Sequence, residues 1–251
     1  MDQRKIALVT GGASGIGEAC VVALAEKGWR VIVSDVRADA AEATATRLGV
    51  EALPFDVADE AAIAAAAEAA EDRFGPVSGL VTSAGVLQPP TAPEDFGAAE
   101  FDRVMSVNLR GTYLTAVAFG SRMARRGTGA IVTIGSVTSL RAVPLHAYGP
   151  SKAAVAALTR RSGVRINCIS PGYVATPPLQ KAIDAGQRDP HLPEEAAAMG
   201  RLVRAEEIGK VAAFLLSEEA SAVTGINMPV DCGWLVGSHM GTYGGVRPAR
   251  A

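Results

Sequence analysis

Short apolar runs alternate with longer stretches of helical spacing along almost the whole chain. Residues 6–9, 30–34, 51–55, 77–82, 129–134, 164–169 and 225–230 form the runs, which predict seven strands. Their near-continuous apolar character suits strands buried on both faces. Residues 18–24, 39–48 and 59–74 have helical spacing, and the last is almost entirely alanine and acid. Residues 98–126 predict one long helix broken only at Gly111 and Gly120. A further helix starts near Tyr148-Gly149-Pro150, where proline is tolerated in a first turn. Strands alternating with helices specify a single α/β domain over 1–251, a doubly wound parallel sheet with helices on both faces. The connection from Thr176 to Arg201 carries Pro177, Pro178, Pro190 and Pro193 and several charges. Its length predicts a lid or binding loop. The tail 234–251 mixes glycine with Trp234, Leu235, Val236, His239 and Tyr243, and its apolar side chains suggest docking on the lid or on a neighbouring subunit.

The first strand runs into Thr10-Gly11-Gly12-Ala13-Ser14-Gly15-Ile16-Gly17, and a helix follows at once. Glycines at such a turn let the backbone approach a ligand, and the helix N-terminus offers unpaired N–H groups to a phosphate. The second strand ends at Asp35. An acid about 20 residues past a glycine turn is placed to bind a ribose 2′-hydroxyl. Turn, helix, strand and acid together predict a dinucleotide site on a Rossmann fold.

Composition removes several alternatives. The chain has 251 residues, 49% of them hydrophobic and 20% charged, which suits one large core. A net charge of −2 argues against nucleic acid as a partner. No run approaches the ~20 apolar residues of a membrane span, and no leader precedes the first strand, so a cytoplasmic protein is expected. Cys20, Cys168 and Cys232 lie scattered in apolar settings, which predicts core packing and no metal site.

Ligands of open parallel sheets bind beyond the carboxyl ends of the strands. Those ends carry the 10–17 turn, Asp35, Asp56, Ser83-Ala84-Gly85, Ser136 and Pro171-Gly172. Tyr148 and Lys152 are four apart at a helix start and share a face. A free phenol near pKa ~10 is a poor base at neutral pH, but a nearby ammonium and a helix N-terminus both favour phenolate. Ser136 could hold a substrate oxygen beside that phenol. His146 is expected to be a loop or rim residue.

The 10–17 turn, Asn108, Ser136, Tyr148-Gly149-Pro150-Ser151-Lys152 and Pro171-Gly172-Tyr173-Val174-Ala175-Thr176 together resemble the short-chain dehydrogenase/reductase family over nearly the whole chain. The resemblance implies Tyr148 as catalytic acid/base, with Ser136 positioning the substrate oxygen. Lys152 would bind the nicotinamide ribose, and Asn108 would hold a water that links Lys152 to solvent. It implies cofactor contacts from Gly11, Ser14, Gly15, Ile16, Gly17 and Asp35, and from Ser83, Ala84, Gly85, Pro171, Gly172 and Val174. Asp56-Val57 would meet the adenine and Thr176 the nicotinamide amide. Asp35 favours NAD over NADP, and Arg37 is the contrary signal, expected to lie outside the ribose contact. The substrate would be a small alcohol or ketone, with Gln88, Thr138, Leu140, Tyr173 and Leu179 lining its pocket. A homo-oligomer, tetramer or dimer, is implied.

Two departures stand out. Thr82-Ser83-Ala84-Gly85 replaces the Asn-Asn-Ala-Gly common in the family, and short hydroxyls can replace some amide hydrogen bonds. The helix after Lys152 is shorter by two to three turns: either the chain has lost that segment or the sequence lacks residues the protein has. A real deletion would leave the helix frayed near Arg160. The activity expected is NAD-dependent hydride transfer on a secondary alcohol. A 3-oxoacyl reductase and a cofactor-binding scaffold with a damaged site are the alternatives.

Overall fold

The computed structural model describes residues 4–88, 91–158, 163–186, 189 and 191–240. Strands β1 (Ile6–Thr10), β2 (Arg30–Ser34), β3 (Glu51–Ala52) and β4 (Val77–Thr82) alternate with helices α1 (Gly15–Glu26), α2 (Ala38–Leu48) and α3 (Glu60–Phe74). Then come α4 (Ala98–Met105), α5 (Thr112–Arg126), β5 (Ala130–Ile134), α6 (Tyr148–Ala156), β6 (Arg165–Pro171), β7 (Val174–Ala175), α7 (Pro177–Asp184) and α8 (His191–Ala196). The described part closes with β8 (Val203–Arg204), α9 (Ala205–Leu216), β9 (Asn227–Val230) and α10 (Trp234–Met240). Seven strands form one parallel sheet in the order β3-β2-β1-β4-β5-β6-β9. This is the doubly wound single-domain fold that the alternating pattern specifies.

Side chains alternate across the sheet, so each strand feeds two cores. Ala7, Val9, Val31, Val33 and Val81 join the layer under α1 and α9. Ile6, Leu8, Ile32 and Leu80 join the layer under α3 and α5. Each fully buried Leu, Ile or Val contributes ~1.5–3 kcal/mol, which explains why both faces of the central strands are apolar. The alanine content of α3 serves the same end: Ala66, Ala67 and Ala70 are buried beside Ile63, and Asp59 caps the helix by accepting from the Ala61 and Ala62 N–H groups.

Several boundaries differ from expectation. β3 is only two residues long, because Pro54 has no N–H to continue the ladder. The long helix is interrupted by a π turn over Ser106–Gly111, and Gly120 lies buried inside an unbroken α5. The π turn is a close-approach site, since a Cβ on Gly111 would stand 2.7 Å from the Val57 carbonyl oxygen. The 176–201 connection is largely helical, containing α7 and α8, and β7 pairs with β8 in a separate two-stranded sheet. α6 ends at Ala156 with Ala157 as its C-cap. The expected fraying near Arg160, and the tail beyond Met240, lie outside the described residues.

Candidate active site

The carboxyl ends of β1 and β4 part at the switch point of the sheet, and the glycine turn fills that gap. Gly11 has φ +63°, and a Cβ there would stand 2.8 Å from the Ala84 backbone. A Cβ on Gly17 would stand 2.0 Å from the Gly11 carbonyl oxygen, so only glycine fits. Ser14 precedes α1 in an extended conformation and its side chain makes no capping bond. The first-turn N–H groups therefore have no side-chain acceptor, the arrangement an anion binds best. Thr176 stands over this turn, with its methyl group 3.6 Å from where a Gly15 side chain would begin.

Asp35 ends β2 almost buried, at 8% exposure. Its Oδ1 accepts from the Arg37 backbone N–H at 3.1 Å and from Arg37 Nε at 3.2 Å. The short separation of the two residues lets the Arg37 guanidinium fold back onto this carboxylate. Asp56 is exposed and its Oδ1 accepts from the Ala58 N–H at 2.8 Å, while Val57 is buried against Gly111. Ser83 and Ala84 donate to the Thr10 carbonyl and hydroxyl oxygens at 3.2 and 3.3 Å. Gly85 lies over Asn108 and Lys152: a Cβ there would meet Asn108 Oδ1 at 3.3 Å and Lys152 Nζ at 3.5 Å. At the far strand end, Gly172 donates to the Val230 carbonyl at 3.1 Å beneath buried Pro171, and buried Val174 begins β7. The anion-ready turn, the Asp35 carboxylate and the Gly85 passage together fit a dinucleotide.

Ser136, Tyr148 and Lys152 converge at the end of β5. The Ser136 hydroxyl accepts from the Thr138 N–H at 3.2 Å and stands close enough to the Tyr148 phenol to lower its pKa. Lys152 is buried, with Nζ donating to the Ile134 carbonyl at 2.8 Å and standing 5.7 Å from the centre of the Tyr148 ring. Burial pushes the Tyr148 phenol up, and the Ser136 hydrogen bond offsets only part of that rise. Burial pulls the Lys152 ammonium down to about 8, against a smaller opposing effect of Cys168. The expected drop in the phenol pKa is therefore absent from the protein by itself, because desolvation is the largest effect on the phenol. At neutral pH the site holds a protonated phenol beside a protonated ammonium.

Asn108 lies in the π turn and is fully buried. Its Oδ1 accepts from the Val86 N–H at 2.7 Å, and Nδ2 donates to the Val86 carbonyl at 3.0 Å and to Ser151 Oγ at 3.3 Å. Its protein partners are thus Val86 and Ser151, and Lys152 is not among them. His146 is a rim residue, with Nε2 bonded to the Thr91 carbonyl at 2.9 Å and its ring against Phe96. At the cleft mouth Tyr173 packs on Trp234 with centroids 5.7 Å apart, and the Arg141 guanidinium lies 5.6 Å from the Trp234 ring. Leu140 and Tyr173 are exposed there, whereas Gln88 is buried.

Some participants escaped the sequence reading. Ser151 donates to the Tyr148 carbonyl at 2.8 Å, and its place between Tyr148 and Lys152 was a usable signal. Ser139, Ser170 and Asn227 close a ring of hydrogen bonds, 2.6 to 3.1 Å long, behind the turn that carries Ser136. Their separation along the chain gave no signal. Among the described residues no cluster of metal-ligating side chains exists, and no helix is long and apolar enough to cross a membrane.

The comparisons with known proteins agree with this geometry. A family model described as enoyl-(acyl carrier protein) reductase matches residues 11–235. D-threitol dehydrogenase of Mycolicibacterium smegmatis is 38% identical, over 92% of this chain and 93% of the relative. Levodione reductase of Leifsonia aquatica is 36% identical, over 91% and 93%. A crystal structure described as ribose-5-phosphate isomerase from Brucella melitensis superposes with a TM-score of 0.94 at 44% identity, covering 97% of each chain. The chain belongs to the short-chain dehydrogenase/reductase family. Its class is that of nicotinamide-dependent oxidoreductases, and its relatives include dehydrogenases and reductases of alcohols and ketones.

Proposed function

We propose that this protein is an NAD(H)-dependent oxidoreductase that interconverts a secondary alcohol and its ketone, with Tyr148 as acid/base. The substrate class is a polyol, a sugar alcohol or a small hydroxy compound. The observation that carries the reading is the Ser136 hydroxyl set at the Tyr148 phenol with buried Lys152 behind it. The bound nicotinamide supplies or accepts the hydride. Ser136 would hold the substrate oxygen, and Tyr148 would give its proton to that oxygen on reduction or take one on oxidation. Lys152 would hold the nicotinamide ribose, and the 11–17 turn the pyrophosphate. Asp35 would accept from the adenosine ribose diol, and its charge disfavours a 2′-phosphate. The lid over 176–201 would close from Thr176 across the cleft.

Polyol substrates are supported by the D-threitol and galactitol dehydrogenases among the relatives. The isomerase description of the Brucella structure names a reaction that needs no nicotinamide, whereas the turn and Asp35 fit one. A homo-oligomer is supported by Tyr113 and Val117, one helical turn apart and exposed on α5, and by exposed Phe101 on α4. A cytoplasmic setting is supported by three free cysteines. The test is a panel of secondary alcohols and polyols with NAD⁺, followed by nicotinamide absorbance. Turnover on at least one polyol is expected; cofactor binding without turnover on any alcohol would favour a scaffold instead.

A further inference from the structure

Among the described residues, the buried side-chain polar atoms without a partner are five hydroxyls and one amide nitrogen, Nε2 of Gln88. Gln88 is only 5% exposed. Its Oε1 accepts from the backbone N–H groups of Ala147 and Tyr148, at 2.7 and 2.8 Å, and so caps the helix that carries the phenol. Two N–H donors require an acceptor opposite them, so chemistry fixes which end of this amide is oxygen. Nε2 is then a buried donor of fixed identity, anchored to the residue proposed as acid/base. A second unpartnered atom is Thr138 Oγ1, in the residue whose N–H donates to Ser136 Oγ. Both therefore belong to segments bound to one member of the Ser136–Tyr148 pair.

A buried amide donor is costly to leave unmade, and one kept on the residue that caps the phenol's helix favours a ligand able to accept from it. We infer that Gln88 is a specificity-determining residue: its Nε2 donates to a second substrate oxygen, on the carbon next to the reacting one. The substrate class this selects is the vicinally oxygenated one, α-diketones, α-hydroxyketones and the matching polyols. This rests on the oxidoreductase reading above and narrows its substrate. The oxygen of the same amide acts separately, holding Tyr148 in place through the helix cap.

The two roles come apart in Gln88→Glu, which keeps an acceptor for the cap and removes the donor. The probes are butane-2,3-dione, whose second oxygen can only accept, and butan-2-one, which has none. With NADH, the wild-type protein is expected to prefer the dione at least tenfold in kcat/KM. In Gln88→Glu that preference falls at least tenfold. A wild-type ratio near one, or a ratio unchanged in Gln88→Glu, overturns the assignment; a purely capping Gln88 would leave the ratio intact. If neither probe turns over, the side-chain amide resonances of Gln88, identified by their loss in Gln88→Glu, give an independent readout in protein saturated with NADH. They are expected to shift with butane-2,3-dione and not with butan-2-one, and unmoved resonances overturn the inference. Failure of turnover across every alcohol and ketone would count against the oxidoreductase reading itself, whatever those resonances do.

Discussion

Lys152 Nζ donates to the carbonyl oxygen of Ile134 at 2.8 Å, two residues before Ser136, and this contact ties α6 to the end of β5. The ammonium is held where burial lowers its pKa to about 8. An unfolded lysine titrates near ~10.4, so between about pH 8 and 10.4 the unfolded chain binds more protons than the folded one. Stability attributable to Lys152 is therefore lowest below pH 8 and rises as pH increases through that window, by up to about 3 kcal/mol. The difference in unfolding free energy between wild type and Lys152→Met, followed by urea denaturation from pH 7 to 10.5, measures it. A flat difference would contradict the burial argument.

Tyr148→Phe is expected to reduce kcat by at least ~10²-fold, the scale of a lost proton transfer. Affinity for NADH should change by less than about threefold, because the anion-binding turn and Asp35 are untouched. Steady-state kinetics and fluorescence titration of NADH separate the two. More than a tenth of wild-type kcat would remove Tyr148 from its role.

Cofactor choice should follow the Asp35–Arg37 pair. NAD⁺ is expected to exceed NADP⁺ in kcat/KM by at least ~10-fold, since each ~1.4 kcal/mol of charge repulsion is tenfold. Asp35→Ser should remove the carboxylate and free Arg37 for a 2′-phosphate, raising the NADP⁺/NAD⁺ ratio by at least about tenfold. Equal or better use of NADP⁺ by the wild type would show that the guanidinium at 3.2 Å outweighs the carboxylate.

Gly17→Ala places a methyl where only 2.0 Å separates it from the Gly11 carbonyl oxygen. The start of α1 must shift, so NADH affinity is expected to fall by at least ~10-fold, with a stability loss of about 1–3 kcal/mol. Calorimetric titration and thermal unfolding read both. Gly28→Ala, which would meet nothing within 4 Å but has φ +80°, should lower stability alone.

Local pattern alone was enough for the doubly wound sheet, because strands buried on both faces must be apolar at every position. The same holds for the glycine turn and Asp35, whose chemistry depends on neighbours in sequence. Helical spacing puts Tyr148 and Lys152 on one face, but their proposed roles came from the family resemblance, since such a pair is common by chance. Tertiary structure decided the rest, because those contacts join segments far apart in the chain. The π turn exists where Gly111 meets Val57 and Asn108 clamps Val86, so no local signal marks it. The Gln88 cap bridges 60 residues to Tyr148. The pKa of the phenol was misjudged for the same reason: sequence shows that a lysine lies one turn away, but only the packed fold sets how much water is lost around both groups.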